Sequence, residues 1–331
     1  MLFRSDLIWQ IGTGYFGCRD QNGRFDPQQF AEKAQTDRVK MIELKLSQGA
    51  KPGSGGVLPA SKITKEVSRS CNIPLGKDSI LRPVHQTFTN PKELLSFVNH
   101  LRDLSGGKPT GIKLCLGRRS EFLSICKAIT DTGILPDFIT IDGAEGGAGA
   151  APAEFVEHVG SPLREATVFI HNALVGIGVR DQIRIIVSGK IATGFDMISM
   201  LALGADLCAS ARAFMLSLGC IQALQCEKNT CPTGIATQNK RLMWGLVADE
   251  KKLRVANFHV LTIRSFLEIL GAMGISRPKE LSPLHVFRQS ESGIARRYSD
   301  IYHYLEPGDL LKTDLPKDFS HDWHLSTTES F

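Results

Sequence analysis

Six short apolar runs, most of them containing β-branched residues, each lead into glycine or small residues, and segments with helical spacing separate them. This alternation limits the fold more than any other feature. Strands separated by helices pair in parallel, and their functional loops follow the carboxyl ends. The runs are residues 7–12, 39–46, 111–117, 138–143, 183–189 and 205–211. Between them, Leu94, Leu95, Phe97, Val98 and Leu101 predict an amphipathic helix opened by Asn90 and Pro91. Residues 121–130 and 195–203 carry the same periodicity. The expected fold is therefore α/β, either a TIM-type barrel or a doubly wound sheet. A (β/α)8 barrel needs eight strands and only six are legible. Beyond Leu281 the pattern weakens to a polar tail whose one ordered-looking stretch is 304–311, and residues 320–331 are expected to fray.

Composition narrows the function classes. A chain of 331 residues with 42% apolar content can bury a large core, and 31 glycines suit an enzyme rich in tight loops. The net charge of +5 comes from scattered Lys and Arg, with no basic block of the kind that binds nucleic acid. No run of about 18 apolar residues occurs, so no membrane span is expected. The first ten residues lack the features of a signal peptide, which makes the cytoplasm the expected compartment. There, clustered cysteines hold a metal or cluster more often than a disulfide.

Cys220, Cys226 and Cys231 are spaced C-x5-C-x4-C, and Pro232 follows the last. A cysteine directly before proline is a feature of iron–sulfur runs, in which thiolates ligate iron. Zinc fits less well, since structural zinc takes four ligands and no histidine lies nearby. The plain alternative is three unrelated core thiols. The other five cysteines, Cys18, Cys71, Cys115, Cys126 and Cys208, read as small core residues.

Four loops lie where ligands bind in a parallel fold. Residues 48–59 are glycine-rich, and Lys51 offers a cation to an anionic ligand. Residues 142–149 form a second glycine-rich loop, without a dinucleotide or Walker fingerprint. Ser188-Gly189-Lys190 and Ser210-Ala211-Arg212 follow the last two runs, the places where barrels build phosphate sites. Each loop alone reads equally well as a tight turn, whereas four together point to a phosphorylated cofactor. Lys113, inside an apolar strand, must pair or be used, because burying a bare charge is costly. Glu43 and Lys45 alternate on another strand and read as a structural pair, with each other or with neighbours.

Five motifs together resemble the FMN-binding domain of the glutamate synthase family. They are Q-G-A-K-P-G-S-G-G-V-L-P, G-I-K-L, D-G-A-E-G-G-A-G-A-A-P, S-G-K-I-A-T-G-F-D and G-C-I-Q-A-L-Q-C-E-K-N-T-C-P-T-G-I-A-T-Q, in the family's order. The resemblance implies FMN and a 3Fe-4S cluster as cofactors, the cluster held by Cys220, Cys226 and Cys231. It implies that Ser188, Gly189, Lys190, Ser210 and Arg212 surround the FMN phosphate, with Gly146 and Gly147 close to the cofactor and Lys113 near the flavin ring. Gln48, Lys51 and Glu145 would line the mouth that receives 2-oxoglutarate or its imine. The implied reaction is reduction of 2-iminoglutarate, formed from 2-oxoglutarate and ammonia, to L-glutamate.

The sequence departs from the family pattern at four points. Ser54 stands where relatives commonly carry a charged or ring side chain. No glutaminase module with a cysteine nucleophile and no NADPH fingerprint are present, which implies a separate ammonia source, such as a glutaminase subunit, and a separate electron donor. That donor would be a ferredoxin or an NADPH-oxidising subunit. Residues 7–17 would correspond to the barrel's third strand, so the expected domain, residues 1–281, is a partial barrel lacking its first two βα units. It carries an iron–sulfur loop at 219–238 and is followed by an extension at 282–331. A chain extended by two upstream βα units that folds no better would refute this. Two alternative readings remain: an inactive or partner-completed fragment, and a barrel dehydrogenase acting on another phosphorylated or 2-oxo acid ligand.

Overall fold

A computed structural model describes residues 5–53, 55–147, 151, 154–289 and 293–331. The chain opens with β1 (Leu7–Ile11), α1 (Pro27–Ala34) and β2 (Val39–Lys45). A small excursion follows, with β3 (Gly56–Leu58) paired antiparallel to β4 (Ser79–Leu81) and α2 (Lys65–Cys71) between them. Strand–helix alternation then resumes through α3 (Pro91–Leu104), β5 (Thr110–Leu114), α4 (Arg119–Thr132), β6 (Phe138–Asp142), α5 (Leu163–Gly176), β7 (Arg184–Ser188), α6 (Gly194–Ala202) and β8 (Leu207–Ala209). The remainder holds α7 (Arg212–Ser217), α8 (Lys240–Met243), the long α9 (Ala248–Ala272), the hairpin β9 (Phe287–Gln289) and β10 (Ala295–Arg297), α10 (Tyr298–Ile301) and α11 (Lys317–Leu325).

All six expected strands join one parallel sheet in the order β1-β2-β5-β6-β7-β8, the sequential order of a barrel wall. Among the described residues β1 and β8 are its edges, and Leu7, Ile8 and Leu207 are exposed there. The expected helices form for the expected reasons. Asn90 accepts from the Glu93 amide at 2.9 Å, Pro91 opens α3, and Leu94, Leu95, Phe97, Val98 and Leu101 are buried. A reciprocal capping box between Thr193 and Asp196 starts α6. No helix among the described residues is long and apolar enough to cross a membrane.

Two expectations need correction. The chain's end is ordered: α11 packs on α4, with Phe319 buried and its ring stacked 5.0 Å from Phe169. Lys127 of α4 donates to the carbonyls of Trp323 and Ser326 at 2.7 and 2.9 Å, satisfying groups that a frayed helix would leave to water. The tail after Leu281 adds Val286, Tyr298, Leu305 and Leu310 to the same core. Cys71 is half-buried at the end of α2, outside the core cluster.

One buried group makes acid stability predictable. His171 on α5 accepts from Arg180 Nε at 3.1 Å, and burial first, with the Arg180 charge second, pushes its pKa from 6.5 to about 4. The unfolded chain therefore takes up this proton first, so stability falls as pH drops from 6.5 towards 4 and is intact above that window. The expected loss approaches about 3 kcal/mol. Urea unfolding at pH 7 and pH 4.5 measures it, and His171→Gln should flatten the difference by that amount.

Candidate functional site

Alternation along three strands builds the site in layers. Side chains two residues apart share a strand face. Glu43 on β2 is buried and accepts from Gln10 Nε2 and from Thr140 Oγ1, both at 2.5 Å, so β1, β2 and β6 converge on one inner face. Two residues further towards the carboxyl ends stand Lys45 on β2 and Asp142 on β6, while Lys113 on β5 is in register with Lys45 and with Thr140. Lys113 Nζ lies 3.5 Å from Asp142 Oδ2, the partner that a strand-borne lysine requires. Glu43 and Lys45 do not bond to each other. Lys45 instead donates to Gln48 Oε1 at 3.5 Å.

Asp142 also organises the loops. Its Oδ2 accepts the Gly49 amide at 2.9 Å, and the Ala50 amide donates to the Ala144 carbonyl at 3.2 Å, so the 48–53 loop is tied to the end of β6. A Cβ on Gly49 would lie 1.9 Å from the Gly143 carbonyl oxygen, and one on Gly147 would lie 2.7 Å from Ala50 Cβ. Gly143 donates to the Ser188 carbonyl at 2.8 Å, and Arg212 donates to the Gly147 carbonyl at 2.8 Å. The structure thus brings together Gln48, Lys51, Lys113, Gly146, Gly147, Ser188, Gly189 and Arg212.

Several expected ligand groups already have protein partners. The Glu145 carboxylate accepts the Leu163 amide at 3.0 and 3.1 Å and so caps α5. Lys190, in a left-handed conformation, forms an ion pair with Glu157. The Ser210 hydroxyl donates to the Ile191 carbonyl at 2.7 Å. Ser54, residues 148–150 and residues 152–153 of the glycine-rich motifs lie outside the described residues.

Sequence reasoning undervalued Lys45. Burial first, then the charges of Lys113 and Lys51, hold its pKa below the ordinary lysine value. Its carbonyl accepts from His85 Nε2 at 2.8 Å, while His85 Nδ1 faces the Tyr15 hydroxyl at 3.1 Å. Burial keeps that histidine below its usual range, so the imidazole is a neutral brace for the end of β2. Only the alternation of Glu43 and Lys45 hinted at this. The three-lysine neighbourhood, with Lys51 and Lys113, comes from three separate segments.

The three-cysteine motif lies on one loop after α7. Cys220 and Cys226 are half-buried and Cys231 is buried. Burial raises the Cys231 thiol, but the Thr233 hydroxyl and the amides of Ala236, Thr233 and Ile235 outweigh it and bring its pKa to about 7. That environment suits a metal-bound thiolate. Among the described residues, no three His, Cys, Asp or Glu side chains are gathered as metal ligands. The donor set fits an iron–sulfur cluster in chemistry, while the sulfurs are not drawn into a ligand set. For a flavin phosphate the fit is positional. A polar cavity of about 500 Å³ opens beside Gly189, Lys190 and Arg164, and the buried Ser199 hydroxyl lining it has no partner among the described residues.

Fold and site define a parallel α/β protein of the barrel class, with cationic loops gathered at the carboxyl ends of its strands. Within that class the chain belongs to the glutamate synthase family: the model described as the conserved region in glutamate synthase matches residues 2–276. It is 40% identical over 299 residues to the glutamate synthase large subunit-like protein YerD of Bacillus subtilis, covering 90% of this chain and 57% of that protein. It is 33% identical over 280 residues to the archaeal glutamate synthase [NADPH] of Methanocaldococcus jannaschii, covering 84% and 52%. The ferredoxin-dependent glutamate synthase of Antithamnion sp. is 29% identical, with 85% of this chain matching 17% of that protein. The chain spans about half the length of the first two relatives.

Proposed function

We propose that this chain is the synthase core of a glutamate synthase, reducing 2-iminoglutarate, formed from 2-oxoglutarate and ammonia, to L-glutamate. The observation that carries this reading is the convergence of Lys45, Lys51 and Lys113 around Asp142 at the strand ends of a glutamate synthase family member. Three cations against Asp142 and the deeper Glu43 leave the pocket positive, which suits a dicarboxylate. FMN, when bound, supplies the hydride. Lys51 and Gln48 bind the substrate carboxylates, Lys113 and Lys45 offset negative charge at the reacting centre, and Asp142 keeps the loop and Lys113 in register.

In this reading Gly189, Lys190, Ser188 and the Ser199 hydroxyl hold the FMN phosphate. Cys220, Cys226 and Cys231 hold a 3Fe-4S cluster. Electrons come from a separate ferredoxin or NADPH-oxidising subunit and ammonia from a glutaminase subunit, in the cytoplasm. The test is anaerobic purification followed by FMN, iron and sulfide assays on one sample. One FMN with about three irons per chain is the expected result. A folded protein that takes up neither on reconstitution would overturn the cofactor assignment.

A further inference from the structure

The cysteine loop is held in a conformation that its own sequence does not favour. Gln222, Leu224 and Asn229 all have left-handed backbones, with φ of 55°, 53° and 61°. For leucine and glutamine this is an unfavourable region, which persists only where surrounding structure imposes it. Asparagine tolerates it best, and Asn229 sits between Cys226 and Cys231.

Every polar group of the Asn229 side chain is used. Its Oδ1 accepts the Gln238 amide at 2.6 Å and the Thr237 hydroxyl at 3.1 Å, and its main-chain carbonyl accepts the same hydroxyl at 2.7 Å. These bonds close the loop on itself. The Nδ2 points elsewhere and donates to the Ser61 carbonyl at 3.0 Å. Beside it, the Lys62 ammonium donates to the Cys226 carbonyl. Ser61 and Lys62 lie in the 3-10 turn Ala60–Lys62, which is itself pinned by the Ala60 amide donating to Asp78 at 2.7 Å. That turn ends the stretch of chain that begins at Gln48 and Lys51.

We propose that Asn229, assisted by Lys62, is a positioning residue that clamps the cysteine loop to the 60–62 turn, so that the cysteine loop and the 48–62 segment order together. The consequence is a mechanical link between the loop offered to the substrate and the loop that carries the three thiols. Ordering one lowers the cost of ordering the other. The clamp itself stands on the contacts alone, and only its consequence for iron rests on the cluster reading proposed above.

Two substitutions separate clamping from loop folding. Asn229→Asp keeps the acceptor for Gln238 and Thr237 but removes the donor to Ser61. Asn229→Gly keeps the left-handed backbone and removes every side-chain bond. Amide hydrogen exchange on the full chain, with iron retention after anaerobic reconstitution, gives two readouts. Asn229→Asp should speed exchange at least tenfold in both 226–238 and 48–62, and Asn229→Gly more. Both variants, and Lys62→Met, should retain less iron than wild type. Faster exchange confined to 226–238, with 48–62 unchanged, would overturn the clamp and leave Asn229 folding only its own loop. Wild-type protein that binds no iron would sink the cluster reading while the exchange result still decides the clamp.

Discussion

Gly49→Ala should cost this protein roughly 10²-fold in kcat/KM for the proposed conversion of 2-oxoglutarate and ammonia to L-glutamate, because it forces the Gln48–Lys51 loop about 1 Å out of place. The added methyl would meet the Gly143 carbonyl carbon and oxygen and the Gly146 carbonyl oxygen, all backbone atoms. None is the flexible end of a side chain, so the two loops must separate, and the bond from Gly49 to Asp142 must lengthen or break. The stability cost is of the order of 2–3 kcal/mol, typical of overpacking in a closely packed region. Gly53→Ala is the control, since its Cβ meets nothing within 4 Å and only its φ of +68° is at issue. It should cost about 1 kcal/mol and leave substrate affinity within a few-fold. Thermal unfolding and steady-state kinetics on both variants distinguish a loop-packing role from a general intolerance of substitution in this segment.

Asp142→Ala should be the most destabilising single change at the site, by about 3 kcal/mol. It strands Lys113, whose side chain is 17% exposed, and leaves the Gly49 amide without its acceptor. Asp142→Asn keeps an oxygen for Gly49 and loses only the charge, so it should cost about half as much. The double variant Asp142→Ala with Lys113→Met should recover about 1–2 kcal/mol relative to the sum of the singles, since the stranded ammonium is gone. Urea unfolding of wild type, Asp142→Ala, Lys113→Met and the double variant gives the coupling energy. A double variant that is merely additive would show that the 3.5 Å pair carries no net energy and that Asp142 acts only through the Gly49 amide.

The central strands β2, β5, β6 and β7 are legible in the sequence because parallel strands largely buried on both faces read as near-continuous apolar runs. The string Phe-Ile-Thr-Ile-Asp of β6 is buried throughout and is readable without any partner. Helix α3 announces itself by Asn90, Pro91 and a single apolar stripe. Helix α9 does not, because its apolar residues lie all round it and only Phe266 and Leu270 are buried. Residues 320–331 read as a frayed end from their terminal position alone, whereas α11 runs to Leu325 and is held by Lys127 and Phe169 from distant helices. Propensity alone carries no trace of such contacts.

The site follows the same division. The glycine-rich loops and the cysteine spacing stand out as local strings. Lys45 and Asp142 do not, because their environments exist only once β1, β2, β5 and β6 are side by side. Asp142 in particular read as one more member of a turn, yet it is the carboxylate on which Lys113 and the 48–53 loop meet. Glu145 shows the reverse: the family resemblance assigns it to the substrate mouth, and the fold engages its carboxylate at the N-terminus of α5.

The most direct test of the central claim is single-turnover chemistry on the FMN-loaded, chemically reduced protein under anaerobic conditions. It is mixed with 2-oxoglutarate and isotopically labelled ammonium, flavin absorbance is followed, and amino acids are analysed after quenching. Flavin reoxidation that needs both substrates, labelled L-glutamate equal to the flavin oxidised, and loss of both in Lys51→Ala are the expected results. Flavin that stays reduced, with no labelled glutamate from fully loaded wild-type protein, would contradict that claim.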